Sequence, residues 1–153
     1  MVSKLLIGGG AAAALAAMVF LSLPTAEGQT TTRVAVGTDG HHANGVDRPV
    51  IRRALADELR ALGGFELTST RRARYVLRAS VTELRRVDLG HGLQVDCHVN
   101  VLVTDGDGAT VRAMLSGRAG VRGTGRRDRV EQAAIQAAIR GALRPLSRSL
   151  PRL

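Results

Sequence analysis

The sequence predicts an α+β domain, a two-layer sandwich in the order β-α-β-β-β-β-α, with an antiparallel-rich sheet and two helices on one face. Three observations predict it. Several segments alternate apolar and polar residues with a period of two, so each has one buried face as a strand. Two segments repeat apolar residues at three and four, so each is a helix with one buried stripe. Gly, Pro and Asp clusters punctuate the segments at short intervals. A striped helix and a one-faced sheet reach a stable state by burying those surfaces against each other.

Residues 1–28 read as a targeting segment rather than as part of that domain. Lys4 gives a positive start, Leu5 to Leu23 is apolar apart from Ser22, and Pro24 breaks any helix. Ala26 and Gly28 are the small residues that a signal peptidase needs before a cut after Gly28. The 19 residues 5–23 also suffice to span a bilayer, so a retained membrane anchor is the alternative. Either way the domain is expected to be exported, to the periplasm or beyond. A cut after Gly28 leaves 125 residues, enough for a core without staples. Cys97 is the single cysteine, so no internal disulfide forms.

Residues 29–32 are a polar leader, and 33–148 make the domain, ahead of a fraying tail at 149–153. Arg33 to Gly37 is the first strand. After the loop Thr38–Val46, Asp47 is placed to cap a helix with Pro49 in its first turn, where a missing N–H costs nothing. Val50, Ile51, Ala54, Leu55, Leu59 and Leu62 form its stripe, and Gly63-Gly64 end it. Phe65 to Thr68 is a short strand. Tyr75, Leu77, Ala79 and Val81 alternate in the next, although Val76 and Leu84 blur which face is inside. Val95, Cys97, Val99, Val101 and Val103 then face inward, with Gln94, Asp96, His98, Asn100 and Thr104 on the other face. Asp105-Gly106-Asp107-Gly108 is a turn. Val111, Ala113, Leu115, Ala119 and Val121 make the last inward row, and pairing Val103 with Val111 and Val99 with Leu115 keeps both rows on one side. The closing helix is expected to begin at Asp128 with a capping box to Glu131. Its stripe runs from Val130 to Leu146, rich enough in Ala to demand a close approach, and Pro145 ends it.

The helix 47–62, the run Gly64-Phe65-Glu66-Leu67 and the stretch Ala73-Arg74-Tyr75-Val76-Leu77-Arg78-Ala79-Ser80-Val81 resemble a pattern in bacterial envelope proteins. The pattern is similar to the amino-terminal domain of TolB and to the CsgG and LpoB group. It covers about residues 33–146 in element order but only 47–84 in residue types. Arg74 stands where an acidic residue is usual, Ala79 where a glycine is, and no lipid-attachment cysteine is present. The resemblance implies a non-enzymatic envelope role through protein contact and transfers no catalytic residue.

The net charge is +9, unchanged by a cut after Gly28 because Lys4 and Glu27 leave together. The basic residues are 21 Arg and one Lys. That bias is what GC-rich coding produces, and it is also what a surface for polyanions or anionic membranes requires.

Candidate sites are few. His41 and His42, with Asp39 and Asp47 nearby, are donor types that a transition metal takes, yet adjacent histidines in a glycine-rich loop seldom converge on one ion. His98 and Asp96 project from one strand face and suit a small polar or metal site; cross-strand pairing with arginine is the plainer reading. His91 lies in the adjoining turn. Cys97 alternates with valines, so it is expected to be buried and inert. Gly123-Thr124-Gly125-Arg126-Arg127 precedes a helix and has anion-binding character, but matches no phosphate-loop spacing, and Asp128 opposes a phosphate there. The outer sheet face carries Arg112, Met114, Ser116 and Arg118 beside Asp96, His98 and Asn100, a surface suited to a protein partner. Nucleic acid is not expected, because a sheet that reads single strands needs aromatic platforms and only Phe65 and Tyr75 follow residue 28. The expected function is therefore that of a non-catalytic binding or accessory module of the cell envelope, its partner another envelope protein and no cofactor required. A basic binder of polyanions or membrane surfaces is the alternative, and an enzyme with an unrecognised site the second.

Overall fold

A computed structural model describes residues 31–38 and 45–146. The elements are β1 (Thr32–Thr38), α1 (Arg48–Leu62), β2 (Phe65–Leu67), a single 3₁₀ turn (Thr70–Arg72), β3 (Tyr75–Asp88), β4 (Leu93–Asp105), β5 (Val111–Gly123) and α2 (Arg127–Leu143). This is the expected α+β order. One five-stranded sheet runs β2-β1-β3-β4-β5. β1 is parallel to both β2 and β3, and β3, β4 and β5 are antiparallel. The parallel pair β1–β2 needs a crossover, and α1 supplies it.

Both helices lie on one face. α1 packs over β1, β2 and β3, α2 over β4 and β5, and the two helices touch. The core between the layers is aliphatic: Ile51, Leu55 and Leu59 from α1, Ile135, Ile139 and Leu143 from α2, and Leu77, Val81, Val95 and Val99 from the sheet. α2 comes close to β5 because Gly117 has no side chain. A Cβ there would fall on the Ala138 carbonyl oxygen and within 2.6 Å of the Ala142 nitrogen. The alanine-rich stripe and this glycine are two halves of one close contact.

Two irregularities set the pattern of faces. In β3, Val81 pairs with Val99 and Glu83 with His98, so Thr82 is an extra residue. The bulge returns Leu84 to the inner face opposite Cys97 and brings Arg86 inward opposite Val95. That is why Leu84 blurred the alternation. Val76 blurred it for a different reason: it pairs with Ala35 on the outer face, and both are buried there.

The β4–β5 register differs from the expected one. Val103 pairs with Ala113 and Val101 with Leu115, a shift of two residues that keeps the same faces. The turn closes with the Asp105 N–H donating to the Thr110 carbonyl and the Gly108 N–H to the Asp105 carbonyl. Continued regularly, that closure would place Arg112 opposite Val103. A bulge between the Val103 and Thr104 pairs restores the phase, and Val111 is left 57% exposed instead of joining the core.

The helix ends depart from expectation as well. Asp47 occupies the N-cap position of α1, but its side chain makes no capping hydrogen bond. α2 begins one residue early, at Arg127, with Arg126 at the N-cap and no side-chain cap. The capping box of Asp128 and Glu131 does not form, because the Glu131 carboxylate accepts from Arg86 and Arg127 instead. Gly63, at φ 69°, ends α1 as expected.

Candidate functional site

The sheet's outer face carries none of the described helices. Its alternation follows from the register: Arg78, Ser80, Glu83 and Arg85 of β3, Gln94, Asp96, His98, Asn100 and Leu102 of β4, and Met114, Ser116, Arg118, Gly120 and Arg122 of β5. The β1 side of this face is closed, with Ala35, Val76 and Thr104 each 2% exposed and the Thr104 hydroxyl donating to the Val76 carbonyl. Towards β5 it opens, and Met114 is 71% exposed.

In the middle of the open part lies a shallow depression of about 510 Å³ lined by Glu83, Arg85, Asp96, His98, Arg118 and Gly120. Two cross-strand rows build it. Arg85, Asp96 and Gly120 stand side by side on β3, β4 and β5, and Glu83, His98 and Arg118 form the next outward row. Gly120 makes the hollow, since a Cβ there would stand 2.7 Å from Asp96 Oδ1. Among the described residues, the Asp96 carboxylate accepts only from the Gln94 amide, at 3.2 and 3.3 Å, and Gln94 Oε1 accepts from Arg122. Among the described residues, no ion pair joins Glu83, Arg85, Asp96, His98 or Arg118 to anything. The cross-strand arginine pairing expected for Asp96 and His98 is thus in register but not closed.

Several other charges are closed. Arg112, expected on the free surface, is the extra residue of the β5 bulge. It donates from Nε and Nη2 to the two Asp105 oxygens at 2.7 and 2.8 Å. Asp105 is held below the usual carboxylate range chiefly by that hydrogen bond. Arg112 therefore belongs to the hairpin, not to the open surface. Arg126 lies 3.5 Å from Asp128, and Arg127 is held by Glu131, so the basic turn before α2 has its guanidinium groups engaged. Inside, Glu58 is 3% exposed and bridges the helices to Arg140 and Gln136, and the Arg140 hydrogen bonds hold its carboxyl below the usual range. Sequence reasoning missed Glu58. The only signal was its place beside Leu59 within the apolar stripe.

The remaining candidates are dispersed. His41, His42 and Asp39 lie outside the described residues, as does the targeting segment 1–28. Among the described residues no three His, Cys, Asp or Glu side chains are grouped to hold a metal, and no helix is long and apolar enough to cross a membrane. His91 is exposed at its turn. Cys97 is 1% exposed in the core, and burial pushes its thiol up to about 11. Tyr75 is buried on the inner face beneath the Arg74 guanidinium, 5.3 Å from its ring centre, and Phe65 packs against the core. The open face thus carries no aromatic platform among the described residues.

No protein-family model matches the sequence, and no curated protein matches it. The fold is similar to solved structures. PelC from Paraburkholderia phytofirmans, solved as a dodecamer, superposes with a TM-score of 0.53 at 20% identity, covering 78% of this chain and 89% of that one. A single-residue variant of the same dodecamer gives 0.56 at 18% identity, over 77% of this chain and 90% of that one. A DUF330 protein from Xanthomonas campestris gives 0.51 at 9% identity, over 82% and 91%. The expected likeness stands at the level of small bacterial α/β domains, and these neighbours are PelC and DUF330 proteins rather than the TolB, CsgG and LpoB group.

Proposed function

We propose that the chain is a non-catalytic accessory domain of the bacterial cell envelope, working by protein contact through the β4–β5 side of its open sheet face. The observation that carries this reading is the unclosed charge on that face. Glu83, Arg85, Asp96, His98 and Arg118 adjoin one another without an ion pair, while Glu58, Asp105 and Glu131 each hold an arginine. A partner that supplies the missing counter-charges gains specificity there more than raw affinity. Export by residues 1–28 is the second support, from sequence, and a contact role also fits a fold found as a dodecamer in PelC.

The test is a photo-crosslinking residue at Asn100 or Ser116, at the edge of the depression, in cells exporting the native chain. A discrete cross-linked envelope protein is expected, together with a mature N-terminus near Gln29 or a membrane-retained chain. Intact chain free in the cytosol, or cross-links no stronger than at an α1 surface position, overturns the reading.

A second reading, binding to polyanions or membrane surfaces, is favoured by a groove between α1 and the β1–β2 edge. Arg52, Arg53 and Arg60 line it over Val36 and Leu67, against a single acid, Asp57. Retention on anionic vesicles that falls steeply with salt, and is lost in Arg52→Ala/Arg53→Ala, is its signature.

A further inference from the structure

The two rows in the depression are self-complementary. Down β3, β4 and β5, one row reads Arg85, Asp96, Gly120 and the next reads Glu83, His98, Arg118. A two-fold axis lying in the face, across the strands and midway between these rows, places each row of one copy over the other row of its mate. Arg85 then meets the second copy's Glu83, and Asp96 meets its His98. Arg118 meets the gap left by Gly120. The same axis sets Asn100 over Gln94, amide against amide. Arg85 and Glu83 each find an opposite charge, Asp96 finds an imidazole, and the largest side chain finds the smallest residue.

We propose that a second copy of this chain covers the open face, paired about that axis. This rests on reading the face as a contact surface and adds the partner and the symmetry. A two-fold interface uses the same patch twice, so a self-complementary charge pattern is what it requires. Sheets packed face to face stand about 10 Å apart, which two opposed long side chains span. The six central residues lie within about 6 Å of the axis point on β4, so the roughly 30° rotation between packed sheets displaces their pairing little. The three strands present about 600 Å² a side at ~3.3 Å per residue and ~4.8 Å between strands. That is the size of a weak, reversible interface, consistent with charges that rest exposed in the single chain.

Charge exchange tests it. The full chain, purified as the cell processes it, is followed by sedimentation from about 5 to 500 µM at low and high salt, beside Glu83→Arg, Arg85→Glu and the double exchange. Both residues are at the surface, and circular dichroism checks each fold. The native chain dimerises at low salt and dissociates at high salt. Each single reversal faces like charges twice across the axis and weakens the dimer tenfold or more. The double exchange restores it to within about threefold. A native chain monomeric throughout, self-association indifferent to the single reversals, or a double exchange no better than the singles overturns the proposal. Capture of another envelope protein at Asn100 by a chain monomeric throughout leaves the contact function standing and removes the self-pairing alone.

Discussion

Arg140 donates from Nε and Nη2 to the two carboxylate oxygens of Glu58, at 2.8 and 2.9 Å, and so ties α2 to α1. The two ends of this pair are unequal. The Glu58 side chain is 4% exposed and that of Arg140 is 59% exposed. Gln136 donates a third hydrogen bond, at 2.9 Å. Removing the arginine strands a buried carboxylate with one amide, whereas removing the carboxylate releases the arginine to water. Arg140→Ala is therefore expected to lower Tm more than Glu58→Gln, by a measurable few degrees. Glu58→Gln costs about 1–2 kcal/mol, the range for charge-assisted hydrogen bonds reduced for the exposed partner. Paired thermal melts at pH 7 decide it, and equal losses contradict the asymmetry.

The same carboxylates set the acid limb of stability. Glu58 and Glu131 are both held below their ordinary range, each first by hydrogen bonds from arginine, Arg140 and Arg86 respectively. A lowered folded value means the folded state stays unprotonated when the unfolded chain has taken up its protons. Their contribution is therefore whole above the unfolded glutamate value of about 4.3 and is lost as pH falls through the folded values. The Tm of the native chain should fall from pH 5 to pH 3, and the double variant Glu58→Gln/Glu131→Gln should fall less. Parallel curves show that other groups govern acid unfolding.

Gly117 makes a local prediction of opposite character. Its missing Cβ is what lets the α2 backbone at Ala138 and Ala142 approach β5. Gly117→Ala forces the helix outward and is expected to cost about 1–3 kcal/mol, as overpacking does. Gly120→Ala, on the other face of the same strand, meets only the Asp96 carboxylate, which can turn aside. Denaturant midpoints should rank native and Gly120→Ala together, well above Gly117→Ala.

The element order was legible in the sequence because apolar periodicity and turn residues report directly on which surfaces are buried. Val95 to Val103 alternate, and they line the core. What stayed hidden were the one-residue insertions. A bulge leaves no compositional mark, so Thr82 looked like any strand residue, Leu84 looked out of phase, and the inward turn of Arg86 left no sign. The β4–β5 register missed by two residues because a two-residue slip leaves every side chain on its face. The choice belongs to the turn at Asp105–Thr110 and to the bulge at Arg112, not to the apolar rows. The open-face row was legible as a surface, through His98, Asp96, Asn100 and Arg118, but its glycine floor and the charges of β3 were not. The β3 charges depend on the register that the bulge at Thr82 sets, and the glycine on the β4–β5 register that the bulge at Arg112 sets.

Cys97 should be chemically silent. It pairs with Leu84 and Ala119 in the sheet, it is 1% exposed, and burial pushes its thiol up to about 11. An aromatic disulfide reagent at pH 8 is expected to label it only at the rate of unfolding, and fully in denaturant. The raised value also means that this site's contribution is intact below the free thiol's value of about 8.5 and declines as pH rises towards 11. Cys97→Ala should flatten that alkaline decline at a cost of about 1 kcal/mol in lost packing. Labelling of the folded protein within seconds would contradict the burial.

Deleting a residue from the middle of a long strand ordinarily turns half of it inside out, because side-chain direction alternates with a period of two. Thr82 is expected to be an exception. Val81 and Leu84 both face the core across the bulge, with Thr82 and Glu83 together spanning the outward step between them. Removing Thr82 leaves Val81 inward, Glu83 outward and Leu84 inward, a regular strand in which Arg86 still reaches Glu131. What is lost is the weak hydrogen bond from the Thr82 hydroxyl to the His98 carbonyl, at 3.3 Å, and the extra twist of the bulge. The Thr82 deletion should therefore fold, with a Tm within a few degrees of the native chain. Deletion of Asn100 from β4, which has regular pairing on both sides, should abolish cooperative unfolding by moving half of the valine row to the solvent face. If the two deletions are equally destructive, Thr82 is not the extra residue, and the inward placement of Leu84 and Arg86 needs another cause.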